Sequence, residues 1–236
     1  ESFEIVTPRA TYYYHKQGAG FAGMVDRDGR DWISHSKAKG SAGEYRGIPN
    51  VGPAGFHPGS SLCTSRVEQS GEGKLTIVSE RTDKSWACTW DIFATHATLS
   101  IVKTNGEKYY FLYEGTPNGR FSAETNYLVR PDLPGRHMLS SATDDSDIVP
   151  DTGETYEWIY FSDTATERVL FLVHHEDDDR GDRFWPMEEN MTVFGFGRTG
   201  GNDMHLTACP QHFTIGFCET AQRAAVQHHI RTIMDR

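Results

Sequence analysis

From residue 62 to 115 the sequence falls into short apolar runs separated by turn residues: LCTSRVEQ, KLTIVSE, WACTWDIF, ATLSIVK and KYYFLYEG. Runs this short do not make helices, and alternation with a period of two is the mark of half-buried strands. In WACTWDIF, Trp86, Cys88, Trp90 and Ile92 share one face, while Ala87, Thr89 and Asp91 share the other. Four further runs follow: TYEWIYFSD, RVLFLVHH, MTVFGFGR and HFTIGFCE. Upstream, TYYYHK precedes QGAGFAGMVDRDGRDWIS, where Asp28-Gly29 is the strongest local hairpin signal. The tail AQRAAVQHHIRTIMD reads as a helix capped by Thr220, with Ala224, Ile230 and Ile233 on its apolar side. About a dozen strands, long loops and one terminal helix predict an all-β chain. The expected architecture is a large antiparallel β-sandwich, supersandwich or jelly-roll-like, with one C-terminal helix, as a single domain over residues 1–236. The sequence has no internal repeat of fixed period, which argues against a propeller. No Gly-rich phosphate loop opens a helix, which argues against a nucleotide fold.

Charge narrows the partners. A formal net charge of -10 argues against nucleic acid, which needs a basic footprint, and against adhesion to an anionic membrane. It leaves room for an anionic substrate in a local basic cleft. No apolar stretch is long enough to span a membrane. The first residue is Glu1 rather than Met, which fits removal of a signal peptide or trimming of the chain. Cys63, Cys88, Cys209 and Cys218 form no CxxC pair. Their even number fits disulfides in an oxidising compartment, and buried free thiols fit equally. A secreted or periplasmic location is the expectation. Asn190-Met191-Thr192 is a glycosylation sequon placed where a strand should start.

Two regions break the strand pattern. KGSAGEYRGIPNVGPAGFHPGSS (39–61) reads as a long loop, too irregular for a strand. Residues 120–154 read as a second polar loop. GAGFAGMVDRDGRDWIS (18–34) resembles the opening hairpin of galactose-mutarotase-like proteins, in which a Gly-rich strand leads to an apolar pair and then Asp-x-x-Gly. EYRGIPN (44–50) resembles the polar loop that follows there, and WACTWDIFATHATLSIV (86–102) is similar to the long paired strands. The resemblance covers about the first hundred residues. It implies a supersandwich, an architecture shared with several polysaccharide lyases. The catalytic His and Glu of that family do not map onto particular positions by these motifs, so epimerase activity does not carry over with them.

Four groups of residues could carry chemistry. The first is the long loop with TYYYHK: Tyr45, Arg46, Asn50, His57, His15 and Lys16. β-Elimination on a uronate needs a carboxylate neutraliser, a base and an acid. Arg46 can grip a carboxylate bidentately, and Tyr45 or His57 can move protons. The bland alternative is that Tyr45 and Arg46 brace a Gly-rich loop. The second is His96, on a polar face with Thr98 and Ser100, either solvated or the wall of a sugar groove. The third is Glu114 with Arg120 beyond a Pro-Asn-Gly turn, either a base with a binding partner or an ion pair. The fourth is VLFLVHHEDDD, residues 169–179, in which strand alternation sends His174 and His175 to opposite faces of a central strand. His175, Asp177 and Asp179 could then hold calcium or another divalent metal, or the acids could be solvated and paired with Arg180 and Arg183. No GxSxG elbow is present.

These residues predict a secreted carbohydrate-active enzyme, in the first instance a polysaccharide lyase cleaving a uronate-containing glycan. Tyr45, Arg46, His57 and His96 are the expected catalytic set. Asn50, His15, Lys16, Glu114, Arg120 and His174 are expected to bind substrate. No cofactor is required, and a structural calcium or other divalent metal is left open. A glycoside hydrolase, a sugar epimerase or a non-catalytic carbohydrate-binding module are the alternatives. The partner expected is a poly- or oligosaccharide, with neither nucleic acid nor membrane.

Overall fold

The computed structural model describes residues 2–35, 46–71, 73–140, 147–148, 155–178, 180–187, 190–200 and 203–235. They form two large antiparallel sheets packed face to face. Sheet 1 has eight strands in the order Ser2–Val6, Ala10–His15, Gly20–Asp26, Gly47–Gly52, Tyr110–Gly115, Met191–Phe196, Asp182–Met187 and Asp147–Ile148. Sheet 2 has nine, in the order His137–Met138, Asn126–Val129, Glu157–Asp163, Val169–His174, Gln211–Cys218, His96–Lys103, Ala87–Phe93, Lys74–Arg81 and Cys63–Gly71. A small ribbon pairs Arg198–Thr199 with Asp203–Met204. One α-helix, Arg223–Met234, closes the chain. The expected all-β sandwich with a C-terminal helix is what the chain forms. Among the described residues no helix is long and apolar enough to cross a membrane.

The core lies between the sheets and is dominated by rings. Phe21 from sheet 1 meets Trp90 from sheet 2 edge-on at 4.6 Å, and Phe111 stacks on Phe213 at 4.4 Å. Aromatic pairs of this kind add about 0.5–1.5 kcal/mol each beyond their buried area. The face of Trp86, Cys88, Trp90 and Ile92 read from the sequence is buried in this core. A second apolar layer covers the outer face of sheet 2. There Tyr127, Trp158, Phe171 and Val173 pack beneath Val226 and Ile230 of the helix. The helix begins later than the sequence suggests. Thr220 Oγ1 accepts the Gln222 N–H, and the first helical residue is Arg223. Val226 and Ile230, four apart, make the buried stripe, with Ile233 partly buried, while Ala224 is exposed.

An ion network clamps the sheets at one end. Asp26, at the end of its strand in sheet 1, is buried and accepts hydrogen bonds from Trp32 Nε1 (2.9 Å), Asp28 N (2.9 Å) and Arg30 N (3.0 Å). The Asp28-Gly29 turn is therefore organised around a buried carboxylate. Arg168, just before its strand in sheet 2, places Nη1 2.6 Å from Asp26 Oδ2 and Nη2 3.0 Å from Glu219 Oε2.

Two segments read as loops contain strands. Gly47–Gly52 pairs with Tyr110–Gly115, but the ladder skips between Gly47 and Asn50. Pro49 sits in that gap, where no N–H is needed, so a Pro-bearing segment still enters a sheet interior. Within 120–154, Asn126–Val129 pairs with Glu157–Asp163, held by Asn126 Nδ2 donating to Asp163 Oδ2 at 2.7 Å. All four cysteines are free thiols, with Cys63 and Cys88 buried.

Candidate functional site

The outer face of sheet 1 gathers most of the chemistry. Along Tyr110–Gly115, Phe111 and Tyr113 point into the core, so Tyr110, Leu112 and Glu114 point outward. Glu114 is opposite Gly47, and Asn50 is opposite Leu112. His57, from the loop after Gly47–Gly52, places Nε2 2.8 Å from Glu114 Oε2, and Asn50 Nδ2 lies 3.4 Å from Glu114 Oε1. His57 Nδ1 is 2.6 Å from the Pro58 carbonyl oxygen. A carbonyl only accepts, so Nδ1 carries a proton. The Nε2 contact with a carboxyl oxygen needs a second one. The couple is therefore an imidazolium facing a carboxylate, or an imidazole facing a carboxylic acid, and holds one transferable proton in either form. Glu114 is almost wholly buried, and the His57 side chain, 12% exposed, is the edge of the couple toward solvent.

Close chain passage makes this placement. The His57 loop crosses the turn after Ala10–His15 so tightly that a Cβ on Gly18 would stand 2.1 Å from the His57 carbonyl oxygen and 2.8 Å from His15 Nδ1. His15 Nδ1 accepts the Gly59 N–H at 3.2 Å, which ties His15 to the same loop.

Arg46 precedes Gly47 and is buried, with Nη2 donating to the Asn190 carbonyl oxygen at 2.7 Å. Its Nε is buried without a hydrogen-bond partner. Burial lowers the Arg46 pKa from its ordinary value, with Tyr113, Asp31 and Glu114 acting in the opposite direction. A guanidinium nonetheless stays charged at neutral pH. Arg46 and Arg120 line a cavity of about 230 Å³ together with Ser34, Thr116, Phe121 and Asn190. Further along the face, Trp185 has Arg198 at 4.1 Å and Arg183 at 5.1 Å from its ring centroid, and Arg198 also lies 5.2 Å from the Tyr110 ring. Gly195 makes room for this stack, since a Cβ there would meet Arg198 Cβ at 3.3 Å and Leu112 Cδ2 at 2.2 Å.

Arg46, Asn50, His57 and Glu114 thus come together, with His15 beside them and Arg120 in the adjoining cavity. Tyr45 and Asp179 lie outside the described residues. Lys16 turns away, its ammonium 4.4 Å above the Phe3 ring. His96 takes the face away from the core, as expected, but is not brought to this group. It lies on the outer face of sheet 2, buried and stacked on Phe93 at 4.6 Å, on the far side of the sandwich. His174 is not brought to this group either. Its strand alternates as expected, but the face it shares with Leu170 and Leu172 is the core between the sheets. There it is fully buried, stacks on Phe213 at 4.8 Å and hydrogen-bonds Glu157 Oε2 through Nδ1 at 2.6 Å. His175 takes the other face, where Nε2 meets Thr214 Oγ1 at 2.8 Å. Burial pushes both imidazoles down to about 4. Asp177 lines a separate cavity near Asp178 and His205. Among the described residues no group of three or more His, Cys, Asp or Glu side chains is arranged to hold a metal ion.

Tyr110, Asn190, Trp185, Arg183 and Arg198 are the site residues that sequence reasoning missed. Asp182–Met187 carries Pro186, which demotes a run as a strand candidate, although the FWPM stretch it ends in is aromatic and apolar.

No family model matches the sequence, and no curated protein matches it. The fold does have solved counterparts. A galactose mutarotase related enzyme from Lactobacillus acidophilus aligns with a TM-score of 0.55 at 10% identity, covering 94% of this chain and 99% of that one. A galactose mutarotase-like protein from Lactobacillus casei ATCC 334 aligns with a TM-score of 0.51 at 9% identity, covering 92% of this chain and 100% of that one. At these identities the likeness is one of fold. It extends over nearly the whole chain, beyond the N-terminal stretches that carry the sequence resemblance.

Proposed function

We propose that the chain is a carbohydrate-active enzyme that moves protons at a sugar ring, with chemistry of the epimerase type. The observation that carries this reading is the His57–Glu114 couple, 2.8 Å apart on the outer face of sheet 1. Interconverting the anomers of an aldose removes a proton from the anomeric hydroxyl and delivers one to the ring oxygen. Both oxygens are bonded to the same carbon, so an adjacent acid and base suit the task. Glycosidases instead place two carboxyl groups about 5–9.5 Å apart, whereas here one carboxyl contacts one imidazole. His57, at the solvent edge, is the group that touches substrate. Both its nitrogens are engaged, so a sugar oxygen takes the place of Glu114 at Nε2, and Glu114 holds the second proton position. Asn50 positions the Glu114 carboxyl.

The test is anomer exchange followed by NMR or polarimetry on a panel of aldoses and oligosaccharides. Wild-type protein should accelerate the exchange, and Glu114→Gln should abolish the acceleration while leaving the fold intact by circular dichroism. Unchanged activity in Glu114→Gln would end the reading. A second reading, β-elimination on a uronate, is favoured by the buried Arg46 guanidinium beside Glu114, since elimination needs a neutralised carboxylate. Ultraviolet absorbance from unsaturated chain ends, without anomer exchange, would select it.

A further inference from the structure

The cavity lined by Arg46 and Arg120 is not used by the proton transfer assigned to His57 and Glu114. It holds about 230 Å³, less than the roughly 300–1,000 Å³ typical of drug-sized ligands, so it suits one substituent rather than a run of sugars. Arg46 and Arg120 bring two guanidiniums to it, and Ser34 and Thr116 bring two hydroxyls. Among the described residues that line it there is no carboxylate. In a chain of net charge -10, two arginines without an acid in so small a space are not a consequence of composition.

The walls are fixed. Arg46 is 3% exposed, and Nη2 donating to the Asn190 carbonyl oxygen at 2.7 Å orients its guanidinium. Its Nε is a buried donor with no hydrogen-bond partner, which is costly to leave so. The carboxylates on neighbouring segments are engaged elsewhere. Asp31 Oδ1 accepts the Met24 and Ile33 N–H groups, both at 3.0 Å, and Glu114 faces His57 and Asn50. Two lining residues have left-handed backbone: Ser34 at φ 57° and Gly119 at φ 83°. Glycine takes that region freely and serine rarely, and such a conformation persists where its surroundings impose it, often at a ligand site. The Pro117–Gly119 turn that leads to Arg120 is fastened by Arg30 Nη1 donating to Asn118 Oδ1 at 2.6 Å. An oxyanion seated between the two arginines accepts charge-assisted hydrogen bonds and relieves their mutual repulsion.

The strand sets the distance to the reacting couple. Arg46 precedes Gly47, which stands opposite Glu114. Thr116 follows Glu114 by two residues in extended backbone, at φ -131° and ψ 101°. Both side chains therefore leave the same face, about 7 Å apart along the chain. One hexose and the substituent on its exocyclic carbon cover that span.

We infer that the Arg46–Arg120 cavity seats one acidic group of the same sugar unit that meets His57 and Glu114, so that the substrate is a hexose acidic at its exocyclic carbon. The choice of a sugar rests on the proposed chemistry, and the arginines supply the charge. Carboxylate and sulfate ester share the chemistry that arginine recognises, and experiment separates them.

The experiment is ligand-observed NMR titration of the full chain with matched probes in the gluco, galacto and manno configurations: the hexuronate, the parent hexose and the hexose 6-sulfate. In at least one configuration an acidic sugar should bind about tenfold or more tightly than its parent hexose, and added salt should shrink that advantage. Arg120→Gln should remove most of the preference, Arg120→Lys should keep part of it, and neither should change affinity for the parent hexose. Arg120 is exposed, so both variants should fold, which circular dichroism checks. Tighter binding of the hexuronate assigns carboxylate, and tighter binding of the 6-sulfate assigns sulfate. Equal binding of acidic and neutral sugars, a preference unchanged in Arg120→Gln, or no binding of any probe by folded protein would overturn the inference. Anomer exchange keeps the two ideas apart. Selective binding of acidic sugars without exchange sinks the proposed chemistry and leaves the seat standing. Exchange on the parent hexoses with no advantage for the acidic ones does the reverse.

Discussion

Replacing Arg168 with methionine tests whether the two sheets are held at their shared end by a buried charge. The wild-type guanidinium is 5% exposed by side chain and Asp26 0%. Removing the cation leaves Asp26 with its three N–H donors but without a counter-charge. Breaking a buried pair by deleting one partner costs about 3–5 kcal/mol. For a chain of 236 residues that corresponds to a fall in Tm of about 6–20 °C. The pH dependence makes the test specific. Burial raises the Asp26 pKa, but hydrogen bonds from Trp32, Arg30 N and Arg168 outweigh it and hold the carboxyl below its ordinary range. Its contribution is therefore present above the unfolded value of about 3.9 and lost as pH falls through the lower folded one. In Arg168→Met, burial acts without the cation, and Asp26 takes up a proton more readily. The stability gap between the two proteins should be full at pH 7 and narrow below about pH 4. Urea unfolding followed by circular dichroism at both pH values measures it. Asp26→Asn added to Arg168→Met should recover part of the loss. A loss under about 1 kcal/mol at pH 7, or a gap that does not narrow in acid, would refute the reasoning.

Three further outcomes follow from the same contacts. Gly18→Ala should cost about 1–3 kcal/mol in a urea melt and reduce sugar turnover, because the new Cβ pushes the His57 loop off His15. Thiol labelling read by mass spectrometry should modify exposed Cys209 first and reach Cys63 and Cys88 only on unfolding, since burial pushes the Cys63 thiol up to about 12 and Cys88 well above its ordinary value. His212 and Glu176 pair at 2.6 Å, which raises the imidazole and lowers the carboxyl. The His212 part is present below its unfolded pKa of 6.5 and lost as pH rises through the higher folded value; the Glu176 part is present above its unfolded 4.5 and lost as pH falls through the lower folded value. His212→Ala should therefore cost most between about pH 4.5 and 6.5, and no more than about 1 kcal/mol, as the pair is over a third exposed at Glu176.

Among the legible strands are those that pair in long ladders with a partner on each side. WACTWDIF and RVLFLVHH pair along their lengths with two partners each, so local pattern and tertiary demand agree. Gly47–Gly52 was illegible because its ladder is interrupted, and an interrupted ladder tolerates Gly and Pro. Asp182–Met187 was hidden by Pro186, which sits in a continuous ladder opposite Thr192.

The site shows a different limit. Strand alternation divides residues between two faces, but in a two-sheet sandwich each sheet has an inner and an outer face. Alternation does not say which is which, nor which sheet a strand joins. His96 and Glu114 are alike in sequence, each a polar residue offset by one from a row of apolar ones. Both do point away from the core, yet they lie on opposite outer surfaces of the molecule. His174 fails by the other ambiguity, since its strand is apolar on both faces and the histidine takes the inner one. What resolves these cases is non-local: Glu114 becomes a site residue because Gly47–Gly52 pairs beside it and the Gly18 crossing brings His57 over it. The sequence signal closest to that fact is the clustering of Arg46, Asn50 and His57 within one Gly- and Pro-rich segment. Such a segment is what a chain needs to pass a charged side chain close over its own sheet.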